Sequence, residues 1–205
     1  MKFYFILPFL LVFSCKKKSS NFIVRGVITD ATLNKGLPGA KMSIYKIKSG
    51  SSYETFIASS STDSNGSYSF EFERDKTEKY IIKFSKDLYY STVETITVAS
   101  LSIEKENERN YETTAKSWIK LQFKNNDPNT NDEFKFLKGK EKIENNQYST
   151  PTYQYLYGAT DTSFYSIIEA NTEYSVLYSL KGTNFQGVKT ISSIPFDTTE
   201  LFVEY

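Results

Sequence analysis

From residue 21 onward, hydrophobic and polar residues alternate in short segments separated by Gly, Asn, Asp and Ser. Tyr68, Phe70 and Phe72 fall on one side of a run whose other side is Ser69, Glu71 and Glu73. A period of two is that of a strand with one face on a core and the other toward water. Tyr80, Ile82 and Phe84 alternate in the same way with Ile81, Lys83 and Ser85, and Ile119, Leu121 and Phe123 with Trp118, Lys120 and Gln122. Tyr174, Val176, Tyr178 and Leu180 repeat the pattern near the C-terminus. No window of helical length places apolar residues three and four apart, and Thr, Tyr, Phe, Ile and Val suit pleated surfaces better than helices. The pattern predicts an all-β chain.

The first half carries an ordered series of signals. A strand over 22–29 leads to Asp30, Leu37-Pro38-Gly39-Ala40 opens a second strand toward Ile44, and Thr62-Asp63-Ser64-Asn65-Gly66 precedes Tyr68-Ser69-Phe70. Gly66 supplies positive φ in a tight turn, Asp63 caps that turn with its side chain, and Pro38 stands where a missing N–H does no harm. This series resembles the carboxypeptidase regulatory-like domain over about residues 22–112. The resemblance implies a small transthyretin-like or prealbumin-like β-sandwich that spaces, stabilises or binds, and it carries no catalytic content.

The second half, 115–205, lacks those signatures but echoes them. Thr160-Asp161 precedes Tyr165-Ser166-Ile167 and then Glu173-Tyr174-Ser175-Val176, much as Thr62-Asp63 precedes Tyr68-Ser69-Phe70 and then Lys79-Tyr80-Ile81-Ile82. Two tandem immunoglobulin-like or transthyretin-like β-sandwiches are expected, although chance recurrence of turn residues and Tyr gives the same echo. The polar stretch 101–114 holds the last strand of the first sandwich or the link to the second.

The N-terminus reads as an address. Met1-Lys2 is a short positive start, and 3–13 is an apolar run broken only by Pro8, too short to span a bilayer. Ser14-Cys15 follows, then Lys16-Lys17-Lys18. A small residue before cysteine at the end of such a run resembles the lipobox of bacterial lipoproteins, in the relaxed Bacteroidota-type form, with Phe13 departing from the usual box. The resemblance implies a signal peptide over 1–14, cleavage before Cys15, lipid on its thiol and a tether over 15–21. The competing reading is an ordinary cleavable signal with a stray cysteine. Lys at position 16, with no acidic residue after the cysteine, implies the outer membrane and a periplasm-facing protein. The membrane is thus the first expected partner, with envelope proteins, peptides or polysaccharide beyond it.

Composition narrows the chemistry. The 205 residues include no histidine and one cysteine, which excludes imidazole- or thiolate-built metal sites, Ser-His-Asp triads and Cys-His dyads. A formal charge of +1 gives no reason to expect nucleic acid. Removing residues 1–14 takes away one lysine and brings that charge to zero. With no cofactor implied, the inventory points to a protein that binds or holds rather than an enzyme.

Three features remain as candidates. Asp63-Ser64-Asn65-Gly66 and 125–133 are rich in the oxygens calcium prefers, but neither has the distal Glu of an EF-hand loop, and turn chemistry explains both, so no metal site is expected. Tyr153, Tyr155 and Tyr157 share one side of a strand, and Trp118, the only Trp, lies on the Lys120 and Gln122 side of its own. These four are the candidate ligand-binding residues, since exposed rings stack on sugars or clamp peptides. In the alternative placement the Tyr row is the inner face of its strand and Trp118 packs between the two sandwiches. Glu71 with Glu73, and Glu104, Glu106 and Glu108, have the spacing a carboxylate-dependent glycoside hydrolase would use, although solvated strand faces place Glu in the same way.

Overall fold

The computed structural model describes residues 21–145 and 147–205. Residues 1–20, on which the expected signal peptide and Cys15 fall, lie outside the described residues. Among those described, one 3-10 turn at Val98–Ser100 is the only helical element and the rest of the regular structure is β. The chain forms two tandem β-sandwiches.

The first is built from β1 (Asn21–Asp30), β2 (Lys35–Gly36), β3 (Lys41–Ile47), β4 (Thr55–Ser61), β5 (Ser67–Glu73), β6 (Lys79–Ser85), β7 (Thr92–Thr97), β8 (Asn107–Glu108) and β9 (Tyr111–Thr113). In one sheet β1 pairs antiparallel with β5 and β2 and parallel with β8 and β9, and the facing sheet runs β4-β3-β6-β7. The alternation read from sequence sets the faces: Tyr68, Phe70 and Phe72 of β5 meet Tyr80, Ile82 and Phe84 of β6 in one core with Phe22, Val24, Met42 and Ile44. Phe72 and Tyr80 meet at 5.0 Å in an edge arrangement favourable to their quadrupoles. The polar stretch after Leu101 thus supplies two short last strands rather than a free link.

Side-chain hydrogen bonds explain why the early motifs occur together. The buried Thr62 hydroxyl donates to Leu37 O at 2.6 Å and accepts from Ala40 N at 2.8 Å, tying the Pro38-Gly39 turn to the Asp63 turn. Asp63 Oδ1 accepts from Asn65 N and Ser67 N, both at 2.8 Å. Gly66 sits at φ +79, where an added Cβ would fall 2.4 Å from Ile28 O. Only glycine closes this turn against β1.

The second sandwich contains β10 (Lys116–Lys124), β11 (Glu133–Leu137), β12 (Lys142–Ile143), β13 (Gln147–Tyr148), β14 (Tyr153–Tyr157), β15 (Asp161–Glu169), β16 (Glu173–Leu180), β17 (Gln186–Ser192) and β18 (Thr198–Glu204). Its sheets run β15-β10-β18 and β14-β11-β16-β17. The order repeats that of the first unit: a first strand lies between an antiparallel middle strand and a parallel last strand, β5-β1-β9 against β15-β10-β18, and β4-β3-β6-β7 matches β14-β11-β16-β17. The sequence echo therefore falls on equivalent strands, but not in the same register. Tyr68 of β5 is buried, whereas Tyr165 of β15 is 60% exposed and Ser166 points inward. A shift of one residue exchanges the two faces of a strand.

The units join through Thr114-Ala115 and through an insertion absent from the first. The β11–β14 connection carries the β12–β13 hairpin, which reaches back to the free edge of β7. Glu144 accepts from Ser91 N and Oγ at 2.5 and 2.7 Å and from Lys116 Nζ at 2.7 Å, and Asn145 Oδ1 accepts from Val93 N at 3.0 Å. Beside it the buried Lys142 donates to Glu169 at 2.5 Å and to Thr114 Oγ1 at 3.1 Å. The Lys116 and Lys142 ammonium groups both stand over the Tyr90 ring, 5.1 and 4.7 Å from its centroid. Leu88 and Phe196, at φ 67 and 65, are held in the left-handed region by backbone bonds to either side of Lys116.

Burial works against the charge of Glu144 and Glu169, but hydrogen bonds from Lys116 and Ser91 to the first, and from Lys142, Tyr148 and Thr114 to the second, hold both carboxyls below the usual glutamate range. A lowered folded-state pKa stabilises the protein above the unfolded value of about 4.3 and is lost as pH falls through the folded values. The double variant Glu144→Gln, Glu169→Gln is expected to melt below wild type above about pH 5, with the gap closing on acidification. Melting curves followed by circular dichroism from neutral pH downward check this; a gap independent of pH would contradict it.

Candidate interaction surface

The structure places the candidate rings on opposite sides of the second sandwich. On β14 the tyrosines point outward, with Tyr153, Tyr155 and Tyr157 at 48%, 45% and 64% exposure, while Leu156 packs on the core. The alternative placement of the row on an inner face is thereby overturned. Phe134 and Phe136 of β11 and Phe123 of β10 already fill the space beneath β14, and a pleated strand allows only one of its sides inside. Trp118 is half-buried on the outer face of β15-β10-β18, between Ile167 and Thr198. Both ladder neighbours belong to its own sandwich. One ligand cannot bridge the Tyr row and Trp118 through the core.

Around the tyrosines, strand register assembles residues that the sequence alone does not bring together. Tyr153 faces Leu137 on β11, and Leu137 faces Leu177 on β16, which faces Val188 on β17. One row over lie Tyr155, Lys135, Ser179 and Gln186, and beyond them Tyr157 and Glu133. The result is an apolar band crossing four strands, with Leu177 and Val188 also exposed, beside a polar row. A shallow groove of about 430 Å³ runs along it between Tyr153 and Val188. Its floor includes Gly187, where a Cβ would stand 2.9 Å from Tyr178 Oη. The Tyr155 and Tyr157 rings are 13° from parallel, with centroids 6.5 Å apart, and Lys135 Nζ rests 3.8 Å from the Tyr153 ring centre. Glu133 is paired with Lys181 at 2.8 Å.

The outer face that holds Trp118 is of another kind. Lys120 and Gln122 both donate to Glu200 at 3.0 Å, and this polar bridge separates Phe202 from Tyr165 and Ile167. The Glu200 bond holds the Lys120 ammonium above its ordinary range.

The remaining candidates are absorbed by structure. In the Asn-rich loop, Asp132 accepts from Asn129 N at 2.9 Å and Asn125 Nδ2 at 2.8 Å, which holds its carboxyl below the ordinary range, and Asn125 and Asn129 accept from Asp127 N and Asn131 N. These oxygens fix turns. Among the described residues no group of three or more potential metal-ligating side chains comes together. Glu71 and Glu73 lie exposed on the outer side of β5, and Glu71 accepts from Asn21 at 2.8 Å. Glu104 and Glu106 precede the short β8, so no strand aligns them with Glu108; Glu106 pairs with Arg25 at 2.6 Å and Glu108 accepts from Asn110. No enclosed carboxylate pair results.

No protein-family model and no curated protein matches the chain. Among solved structures it is similar to the Bacillus anthracis TIE protein, with 15% identity, 90% of this chain and 34% of that one covered and a TM-score of 0.35. It is also similar to a shaft pilin of Lactobacillus rhamnosus GG (11%, 91% and 97%, 0.35) and to a minor pilin of Streptococcus agalactiae (9%, 89% and 94%, 0.37). The chain spans about a third of the length of the first of these. At these scores nothing about function passes from them to this chain.

Because the Tyr row contributes little buried area, Tyr155→Ser with Tyr157→Ser is expected to change folding stability by no more than about 0.5 kcal/mol per site. Phe134→Ala, which empties a fully buried ring site one strand away, is expected to cost about 3–5 kcal/mol. Urea melts of both variants test the contrast.

Proposed function

We propose that the chain is a non-catalytic module of the bacterial cell envelope, tethered by lipid at Cys15, in which the first sandwich is a spacer of carboxypeptidase regulatory-like type and the second presents a binding face. The direction of β1 carries this reading. Asn21 begins the strand, and its other end, at Asp30, reaches the junction, where buried Asp30 accepts from Tyr89 at 2.8 Å and Ala31 N donates to Thr113 O. Ten residues of strand put roughly 33 Å between the two points. The attachment side and the second sandwich therefore lie at opposite ends of the first.

The chemistry of the described surface agrees with holding rather than converting. Glu106, Asp132, Glu144 and Glu169 are spent on an ion pair, a turn cap and the junction, and Glu71 and Glu73 stand exposed on a strand face. An outer-membrane, periplasm-facing location follows from Lys16 by the lipoprotein resemblance and belongs to the same proposal. Two acyl chains anchor stably where one does not. With metabolic alkyne-palmitate labelling, the native protein is expected in the membrane fraction carrying label, and Cys15→Ala is expected unlabelled in the osmotic-shock fluid. A Cys15→Ala protein that stays with the membrane would place the anchor elsewhere.

A further inference from the structure

We propose that the outer face of β14-β11-β16-β17 is a binding site for an acidic polysaccharide, with Tyr153, Tyr155 and Tyr157 as its stacking platform and Lys135 as its charge partner. The proposal rests on the reading of the second sandwich as a binding face and stands whether or not Cys15 is lipidated.

The internal repeat supplies the first argument. β4 occupies in the first sandwich the edge position that β14 occupies in the second. Its outward residues are Phe56, Ser59 and Ser61, facing Tyr45, Ser43 and Lys41 on β3. Tyr153, Tyr155 and Tyr157 take the corresponding places, facing Leu137, Lys135 and Glu133 on β11. The fold is satisfied at this edge by one ring and two serines. Three rings are an addition that the architecture does not require, and Leu177 and Val188 extend the same apolar band across the sheet. Contiguous exposed apolar area of this kind marks interaction surfaces.

Charge and shape select the occupant. Near the rings, Glu133 is neutralised by Lys181, and Lys135 has no carboxylate partner among the described residues. Its ammonium rests against the Tyr153 ring instead, a weak contact at an exposed site and easily exchanged for a carboxylate. Glu173, the other carboxylate on this side, lies four residues along β16 from Leu177, away from the Tyr row. The local field is thus that of a single uncompensated cation among rings. Phenol faces carry negative quadrupole and attract the C–H face of a pyranose, and the neighbouring row of Lys135, Ser179 and Gln186 offers hydrogen bonds to its hydroxyls. An extended peptide would instead add to a strand edge and ask for alternating side-chain pockets. Here the rings stand over the sheet and the groove is shallow and continuous. A chain of hydroxyl-bearing rings with carboxylate substituents matches both the band and the lysine.

The test is affinity electrophoresis of the detergent-extracted mature protein through native gels holding polygalacturonate, alginate or neutral dextran, with an extended-peptide array run in parallel. Retardation by at least one acidic polymer and none by dextran is expected. Tyr155→Ala with Tyr157→Ala should weaken it about tenfold or more, the scale of losing interface aromatics. Lys135→Gln should weaken it several-fold and flatten its salt dependence, and Tyr165→Ser on the opposite face should leave it unchanged, with unaltered melting curves confirming that each variant folds. Equal retardation by dextran would overturn the acidic assignment, and retention indifferent to the Tyr and Lys135 variants would overturn the site. No retention by either acidic polymer, with or without capture by peptides, would overturn the proposal.

Discussion

Each sandwich depends on one pairing: its first strand lies parallel to its last. β1 takes β8 and β9 along one edge, and β10 takes β18. Parallel neighbours cannot be joined by a hairpin, so the whole unit has to be threaded between the two strands before the pair can close. This closure fixes the rest. The middle strand must come back antiparallel on the other side of the first strand, as β5 and β15 do, and the intervening strands are left to form the facing sheet. Repetition of that order in both halves shows that the constraint, rather than any particular side chain, is what the two units share.

Within the common frame the halves differ at the positions the frame leaves free. The first uses a seven-residue connection between β3 and β4, whereas the second expands the equivalent connection into the hairpin whose Glu144 and Asn145 grip the first sandwich and whose Lys142 stands over the Tyr90 ring. Its outer edge strand carries tyrosines where the first carries mainly serines. A buried, hydrogen-bonded ion pair such as Lys142–Glu169 is expensive to desolvate and adds little net stability over apolar packing. What it supplies here is a fixed place for the hairpin, tied to the end of β15 and, through Thr114, to the link between the units.

Much of the fold was legible because alternation is a local signal. Tyr68 to Phe72, Tyr80 to Phe84 and Ile119 to Phe123 all bury the side that their pattern indicates. The Tyr153 row was harder, because Gln154 and Leu156 on its other side offer one apolar residue against three rings, and hydrophobicity alone puts the rings inside. Only the crowding of Phe123, Phe134 and Phe136 beneath β14 decides otherwise, and that is a property of three strands at once. Lys135, Leu177 and Val188 carry no local signal for the same reason, since each becomes part of a surface only through register with a neighbour. The junction left no trace in the sequence: Glu144 and Ser91 are 53 residues apart, and Lys142 and Thr114 are 28. Nothing in local pattern pairs charges across such separations.

The parallel closure of the first sandwich also determines how it responds to a pull. A load entering at Asn21 and leaving through Thr114 toward the second sandwich draws β1 and β9 lengthwise in opposite directions. Their ladder is then loaded in shear, and its hydrogen bonds share the force instead of opening one after another as in a peeled hairpin. Both strands are also held by the core beneath them, through Phe22, Val24 and Ile28 on one side and Tyr111 on the other. Wired in this way, the first sandwich resists a pull along the line from Asn21 to Thr114.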